Sequence, residues 1–133
     1  MAFPVDIELV KRAEVKLSRK LPLGYVAKMC QHNGGEVATG TDSWDLFPIF
    51  DDSDKKRLKR TCNDIVRETQ VAREWRGFPD CALAIGANGC GDKLVLLPDP
   101  NSDRFADAVQ WWDHETGALN KVSDDFADLE CED

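Results

Sequence analysis

The chain has 133 residues, 42% apolar and 32% charged, which describes one globular domain with a single core and excludes a disordered or fibrous chain. The formal net charge of -8 is unevenly placed: residues 1–40 hold six Lys/Arg against four Asp/Glu, net +2, and residues 101–133 hold two against ten, net -8. That acidic third excludes nucleic acid and anionic membrane as partners, since both repel it, and favours a basic partner.

Pro4 suits the first turn of a helix, behind which Val5, Leu9, Ala13 and Leu17 recur every four residues as one apolar stripe. Pro22 interrupts the pattern and opens a second short helix, with Val26, Met29 and Cys30 inward and Asn33-Gly34-Gly35 as its left-handed stop. Glu36 to Thr39 and Trp44 to Phe50 read as strands, the second held to an edge, a bulge or a strand end by Pro48. Ser53 or Asp54 caps the next helix, whose inner face is Leu58, Cys62, Ile65, Val66 and Thr69. Lys55, Lys56, Arg57, Lys59 and Arg60 crowd its first half and invite a phosphate-binding reading. The helix dipole disfavours positive charge there and Asp51, Asp52 and Asp54 offset it, so the run reads as a solvated face.

Cys81 to Ile85 and Lys93 to Leu97 form a strongly apolar, hence central, hairpin, and Pro98 to Asp103 is a turn cluster. Ala108 to Trp112 is the next strand, Glu115-Thr116-Gly117 its turn and Ala118 to Val122 the return. Ser123 then caps a last helix with Phe126 and Leu129 inward, and Glu130 to Asp133 is a frayed acidic tail. Antiparallel neighbours joined by short turns, with helices mainly on one face, make a single α+β domain over residues 1–133.

Two segments between these strands carry the most information. In Ala87 to Asp92, Asn88-Gly89 signals a positive-φ turn, Gly91 permits a bulge beside it, and Asp92 can accept hydrogen bonds from turn amides. A phosphate cradle would open onto a helix or carry a Lys-Ser/Thr pair, and this loop opens onto a strand. In Trp112 to Gly117, His114 lies between Asp113 and Glu115. A general base needs a second positioned group and a metal needs three ligands in space, and the other histidine, His32, ends a distant helix; a hydrogen-bonded turn histidine is the expectation.

Five cysteines at irregular spacing, without a Cys-x-x-Cys pair, lack the zinc signature, and apolar neighbours around Cys30 and Cys81 dull them as nucleophiles. No basic leader followed by a long apolar stretch opens the chain. The expectation is a cytoplasmic protein with reduced thiols, no cofactor and no metal. Adjacent Trp111 and Trp112 point to opposite faces of their strand, so one enters the core and the other lies under a helix or at the surface as an interaction anchor.

The ordered set Leu21-Pro22, Tyr25 and Asn33-Gly34-Gly35, then Asn88-Gly89-Cys90-Gly91-Asp92 before an apolar strand, then Trp112-Asp113-His114-Glu115-Thr116-Gly117 ahead of Phe126 and Leu129, resembles the SUKH superfamily. That superfamily includes bacterial immunity proteins and fungal cell-wall-synthesis regulators of the Smi/Knr type. The resemblance implies an α+β fold and a non-enzymatic role: an immunity protein occluding a cognate polymorphic toxin, a nuclease among the expected classes, or a regulatory scaffold of the cell-wall branch. It also implies that Asn33, Gly34, Gly35, Asn88, Gly89, Gly91, Asp92, His114 and Gly117 are scaffold. A toxin with a basic surface would meet Asp99, Asp103, Asp107, Asp113 and Glu115, with Trp112 or Trp44 as anchor.

Overall fold

The computed structural model describes residues 3–40 and 42–132; Asp133, the end of the expected acidic tail, lies outside them, as do Met1 and Ala2. Among the described residues the helices are α1 (Ile7–Leu17), α2 (Leu23–Gln31), α3 (Lys55–Arg60) and α4 (Ile65–Ala72). The strands are β1 (Glu36–Thr39), β2 (Asp42–Leu46), β3 (Leu83–Ala87), β4 (Lys93–Leu96), β5 (Val109–Trp112), β6 (Leu119–Ser123) and β7 (Glu130–Glu132), and the whole is a single α+β domain. No helix among the described residues is long and apolar enough to cross a membrane.

Local chemistry sets the helix ends. The Asp6 carboxylate accepts the Glu8 N–H at 2.8 Å and starts α1 at Ile7, three residues beyond Pro4, while Ser18 stops it in the left-handed region. This shifts the buried face: Val10 and Ala13 are buried, whereas Leu9 and Leu17 are only partly covered. In α2, Tyr25 joins Met29 in the core. The single helix expected after Asp54 is two. Asp54 caps α3, Thr61 ends it by bonding back to the Arg57 carbonyl and to the Asp51 backbone, and Asp64 caps α4 through the Val66 and Arg67 N–H groups. Leu58 and Cys62 consequently face outward, leaving Ile65, Thr69 and Ala72 as the inner face.

All seven strands are antiparallel in the order β6-β5-β4-β3-β2-β1-β7. The strands lie in chain order from β1 to β6, with β2 and β3 joined through α3 and α4 rather than by a short turn, and β7 returns to the outer side of β1. In β3 and β4, Leu83 to Gly86 and Leu94 to Leu96 are buried consecutively, so both faces of the sheet are covered at its centre. The expected final helix is one 3-10 turn, Phe126–Asp128, capped by Asp125 rather than Ser123. The expected frayed tail is strand β7, with Cys131 opposite Val37.

The connection between β6 and β7 forces the sheet to curl. Six strand spacings in a flat sheet place the edges about 29 Å apart. Seven Cα steps from Ser123 to Glu130 reach about 25 Å fully extended, and the 3-10 turn shortens that. The sheet is accordingly curled, and Thr39 near one edge lines the same cavity, of about 340 Å³, as Val122 near the other. Tyr25 packs edge-on against Phe126 at 5.0 Å, tying α2 to the link between the two edges.

Candidate functional site

Because consecutive strands alternate in direction, the β1/β2, β3/β4 and β5/β6 turns all lie at one end of the sheet. The two informative segments are the second and third of these turns. The register that pairs Lys93 with Trp112 sets Asp92 against Asp113. Asp92 joins the two turns: Oδ2 accepts the Trp111 Nε1–H at 2.9 Å, and Oδ1 accepts the His114 backbone N–H at 3.0 Å and meets His114 Nδ1 at 2.5 Å. A carboxylate only accepts, so Nδ1 carries the proton of that contact. The expected turn histidine is thus found. The bonds of Asp92 run to the neighbouring hairpin, however, and the amide of its own turn, that of Cys90, is taken by Asn88 Oδ1 at 3.0 Å.

Backbone conformation makes this contact possible. Gly91 takes φ +104°, and a Cβ there would stand 3.0 Å from three atoms of the His114 ring. Gly35, Gly89 and Gly117 also take positive φ, at 84°, 84° and 77°. At the opposite end of the sheet, Gly34 has φ +122° and follows Asn33, whose buried side chain both donates to the Ile49 carbonyl at 2.8 Å and accepts the Ile49 N–H at 2.7 Å. Asn33 is therefore a latch between the α2 stop and the chain leaving β2.

Aromatic side chains fill the space around Asp92. Trp44 is fully buried, donates to Thr39 Oγ1 at 2.6 Å and stacks edge-on with half-buried Trp111 at 4.9 Å. Trp112 is fully buried, donates to the Gly77 carbonyl at 3.2 Å and packs on Phe78 at 5.0 Å. Neither Trp44 nor Trp112 offers a surface, which corrects the expectation that one of them anchors a partner. The exposed tryptophan is Trp75, 44% accessible, edge-on to His114 at 5.9 Å with Lys93 Nζ 5.7 Å over its ring. Sequence reasoning gave Trp75 no role, because its loop follows α4 and only the tertiary fold brings it to the hairpin end.

Burial acts to raise the Asp92 pKa, and the hydrogen bonds from His114 and Trp111 outweigh it, leaving the carboxyl below its ordinary value. Lys93 is pulled below the usual lysine range, chiefly by burial, with Glu68 and Asp92 opposing. Asp92, Asp113 and His114 present potential ligand atoms within 4.8 Å of one another. Both Asp92 oxygens already accept, and Asp113 Oδ1 accepts the Glu115 and Thr116 N–H groups at 2.8 and 3.4 Å. Of these atoms, both Asp92 oxygens, Asp113 Oδ1 and His114 Nδ1 are engaged within the two hairpins. Among the cysteines, burial first and then Asp6 push the Cys30 thiol up, while Cys81 proves to be exposed rather than apolar in setting. Arg57, Arg60 and Lys56 stand 4.3, 4.8 and 5.6 Å from the Phe3 ring centre, and Arg57 also pairs with Asp54 at 2.5 Å.

The five candidate acids separate into two groups, because β4 and β5 divide them by about 13 Å of strand. Asp113 and exposed Glu115 lie at the hairpin end with Asp42, which accepts from Asn88 at 3.4 Å, and exposed Asp45. Asp99, Asp103 and Asp107 lie in the β4/β5 loop at the other end. There Asp103 pairs with Lys20 at 3.7 Å and Asp99 caps its own turn through the Asn101 N–H, while Asp107 is exposed.

The family model described as SMI1 / KNR4 (SUKH-1) matches residues 4–130 of this chain. No curated protein matches it.

Proposed function

The chain belongs to the SMI1/KNR4 family (SUKH-1), a family that is generally non-enzymatic, and on that premise we propose that it is a cytoplasmic immunity protein that binds and neutralises a cognate bacterial polymorphic toxin. The supporting observation is that Asp92 and His114 are bonded to each other while Asp113 accepts backbone N–H groups of its own turn, so these groups serve the scaffold. Such an arrangement holds two turns together and presents their outer surface, and a rigid surface lowers the ordering cost of binding. The hairpin end, with Asp45, Asp113 and Glu115 beside exposed Trp75, suits a toxin with a cationic surface, a nuclease included.

Co-expression with the toxin-like product of an adjacent reading frame tests this reading: growth is restored and the two products form a complex. A chain that protects against nothing and instead binds a signalling partner belongs to the cell-wall-regulator branch. Within the complex, Asp113→Lys with Glu115→Lys slows association at low salt by about tenfold or more, and the difference shrinks as salt rises. Unchanged association removes the acidic hairpin end from the interface.

A further inference from the structure

Away from the hairpin turns, the outer side of α1 carries a second surface of different character. Ile7, Val15 and Leu23 are 46%, 78% and 70% exposed, the latter two the most exposed large apolar side chains among the described residues. Ile7 and Val15 are eight residues apart, on one stripe of α1, and Leu23 begins α2. Two adjoining concavities, of about 230 and about 330 Å³, run along this stripe and share Lys11, Glu14 and Lys20. Ile7 and Leu23 border the first and Val15 the second, so the two together follow α1 from Ile7 to Ser18.

Its rim is cationic in a chain whose net charge is -8. Lys11 and Lys20 have Glu8 and Asp103 at 3.6 and 3.7 Å, and Glu14 is held by the Leu21 N–H at 2.7 Å. Arg19 donates to the Ser102 and Arg104 carbonyls at 3.0 and 3.1 Å, and Arg104 to the Leu21 carbonyl at 3.0 Å. Carbonyl dipoles orient these two guanidinium groups without neutralising them, and among the described residues neither forms an ion pair. Their hydrogen bonds also fix the groove wall, because Arg104 ties the β4/β5 loop to the start of α2.

We propose that this groove is a docking site for an acidic amphipathic segment of a protein partner, its apolar side chains seated along Ile7, Val15 and Leu23 and its carboxylates meeting Arg19, Lys20 and Arg104. The site is separate from the acidic hairpin end and opposite to it in charge, so it does not depend on the toxin-neutralising reading. An apolar stripe gives the affinity and the uncompensated guanidinium charge selects the sign of the partner. A second copy of the chain is the less fitting occupant, because a self-complementary contact would set the cations of one groove against those of the other.

Selection of a random peptide library on the intact protein, displayed on phage, tests the proposal without assuming a sequence. The enriched peptides combine Asp/Glu with large apolar residues. Their dissociation constants rise at least tenfold on Val15→Asp or Leu23→Asp, and on Arg19→Glu, while Leu58→Asp, an exposed apolar position on α3, leaves them unchanged. Val15 and Leu23 bury little, so their variants keep the parent's circular dichroism and unfolding midpoint, and Leu23→Asp stands in should Val15→Asp disturb α1. Enrichment of neutral or basic peptides, of nothing, or of peptides indifferent to Val15→Asp and Leu23→Asp overturns the proposal. So does competition for the groove by phosphatidylserine vesicles, or a parent chain that sediments as a dimer disrupted by Val15→Asp.

Discussion

Replacing Asp92 by Ala removes the acceptor of three hydrogen bonds in one step, from Trp111 Nε1, the His114 backbone N–H and His114 Nδ1. A hydrogen bond to a charged acceptor contributes about 1.5–3 kcal/mol, and a donor that water can reach recovers part of that. The Asp92 side chain is 14% exposed and that of His114 23%, so water reaches the histidine side chain once the carboxylate is removed. Taking the low end for each bond and discounting the histidine side chain gives a loss of about 3 kcal/mol. With a urea m-value of about 2 kcal/mol/M, the midpoint falls by roughly 1.5 M at pH 7 and m stays constant. Asp92→Asn loses about half as much, because one oxygen becomes an NH2 that faces a donor. The acid limb gives a separate check. The folded-state pKa of Asp92 lies below its unfolded value of about 3.9. Its contribution is therefore full above that unfolded value and is lost as the pH falls through the lower folded value. The part of the stability gap between parent and Asp92→Ala that comes from the carboxylate must then close as the pH falls below its unfolded value. Far-UV circular dichroism, which does not depend on Trp111 emission, follows the unfolding. A loss under about 1 kcal/mol, or a gap that persists unchanged below pH 3, would refute the idea that this carboxylate holds the two turns together.

Gly91→Ala and Gly89→Ala form an informative pair: both force Ala into a positive φ, at 104° and 84°, but only the first brings a Cβ within 3.0 Å of His114, where the second meets nothing within 4 Å. Gly89→Ala is expected to cost about 1 kcal/mol and Gly91→Ala at least about twice that, measured as urea midpoints; equal losses would mean that His114 yields freely. Tyr25 is fully buried and its hydroxyl has no hydrogen-bond partner among the described residues, so Tyr25→Phe should raise stability by about 0.5–1 kcal/mol, seen as a higher thermal midpoint. Burial pushes the Tyr25 phenol well above its ordinary value. Parent stability should consequently decline as the pH rises past about 10, where the unfolded phenol ionises, and the Phe variant should lack that component.

Much of the strand meander was legible because its signals are local. Asn88-Gly89 sits in the β3/β4 turn and Thr116-Gly117 in the β5/β6 turn, and the apolar runs on either side formed the strands expected of them. Cap identity was partly legible, since Asp54 served as read, whereas Asp64 went unnoticed as a second cap and one long helix was expected where two occur. A cap inside a periodic run breaks it only if the tertiary fold takes up the freed backbone, as Thr61 and Asp51 do. The acids were visible as a charge excess, but not their division between two ends of the sheet, since linear distance along the chain carries no sign of strand direction. The family resemblance, carried by turn and cap residues, holds for the same reason that those residues are legible: each is demanded by its immediate backbone.

By itself the sequence determined the α+β class and the turns that join β3 to β4 and β5 to β6, because periodicity, capping and positive-φ residues act over a few neighbours. Only the tertiary structure decided the curl that brings β6 and β7 near each other, the burial of Trp44 and Trp112 with Trp75 left outside, and the meeting of Asp92 with His114. Those contacts join residues from 19 positions apart, Asp92 and Trp111, to 67, Trp44 and Trp111, and they form only once strand register and the shortness of the β6/β7 link fix where each hairpin must stand.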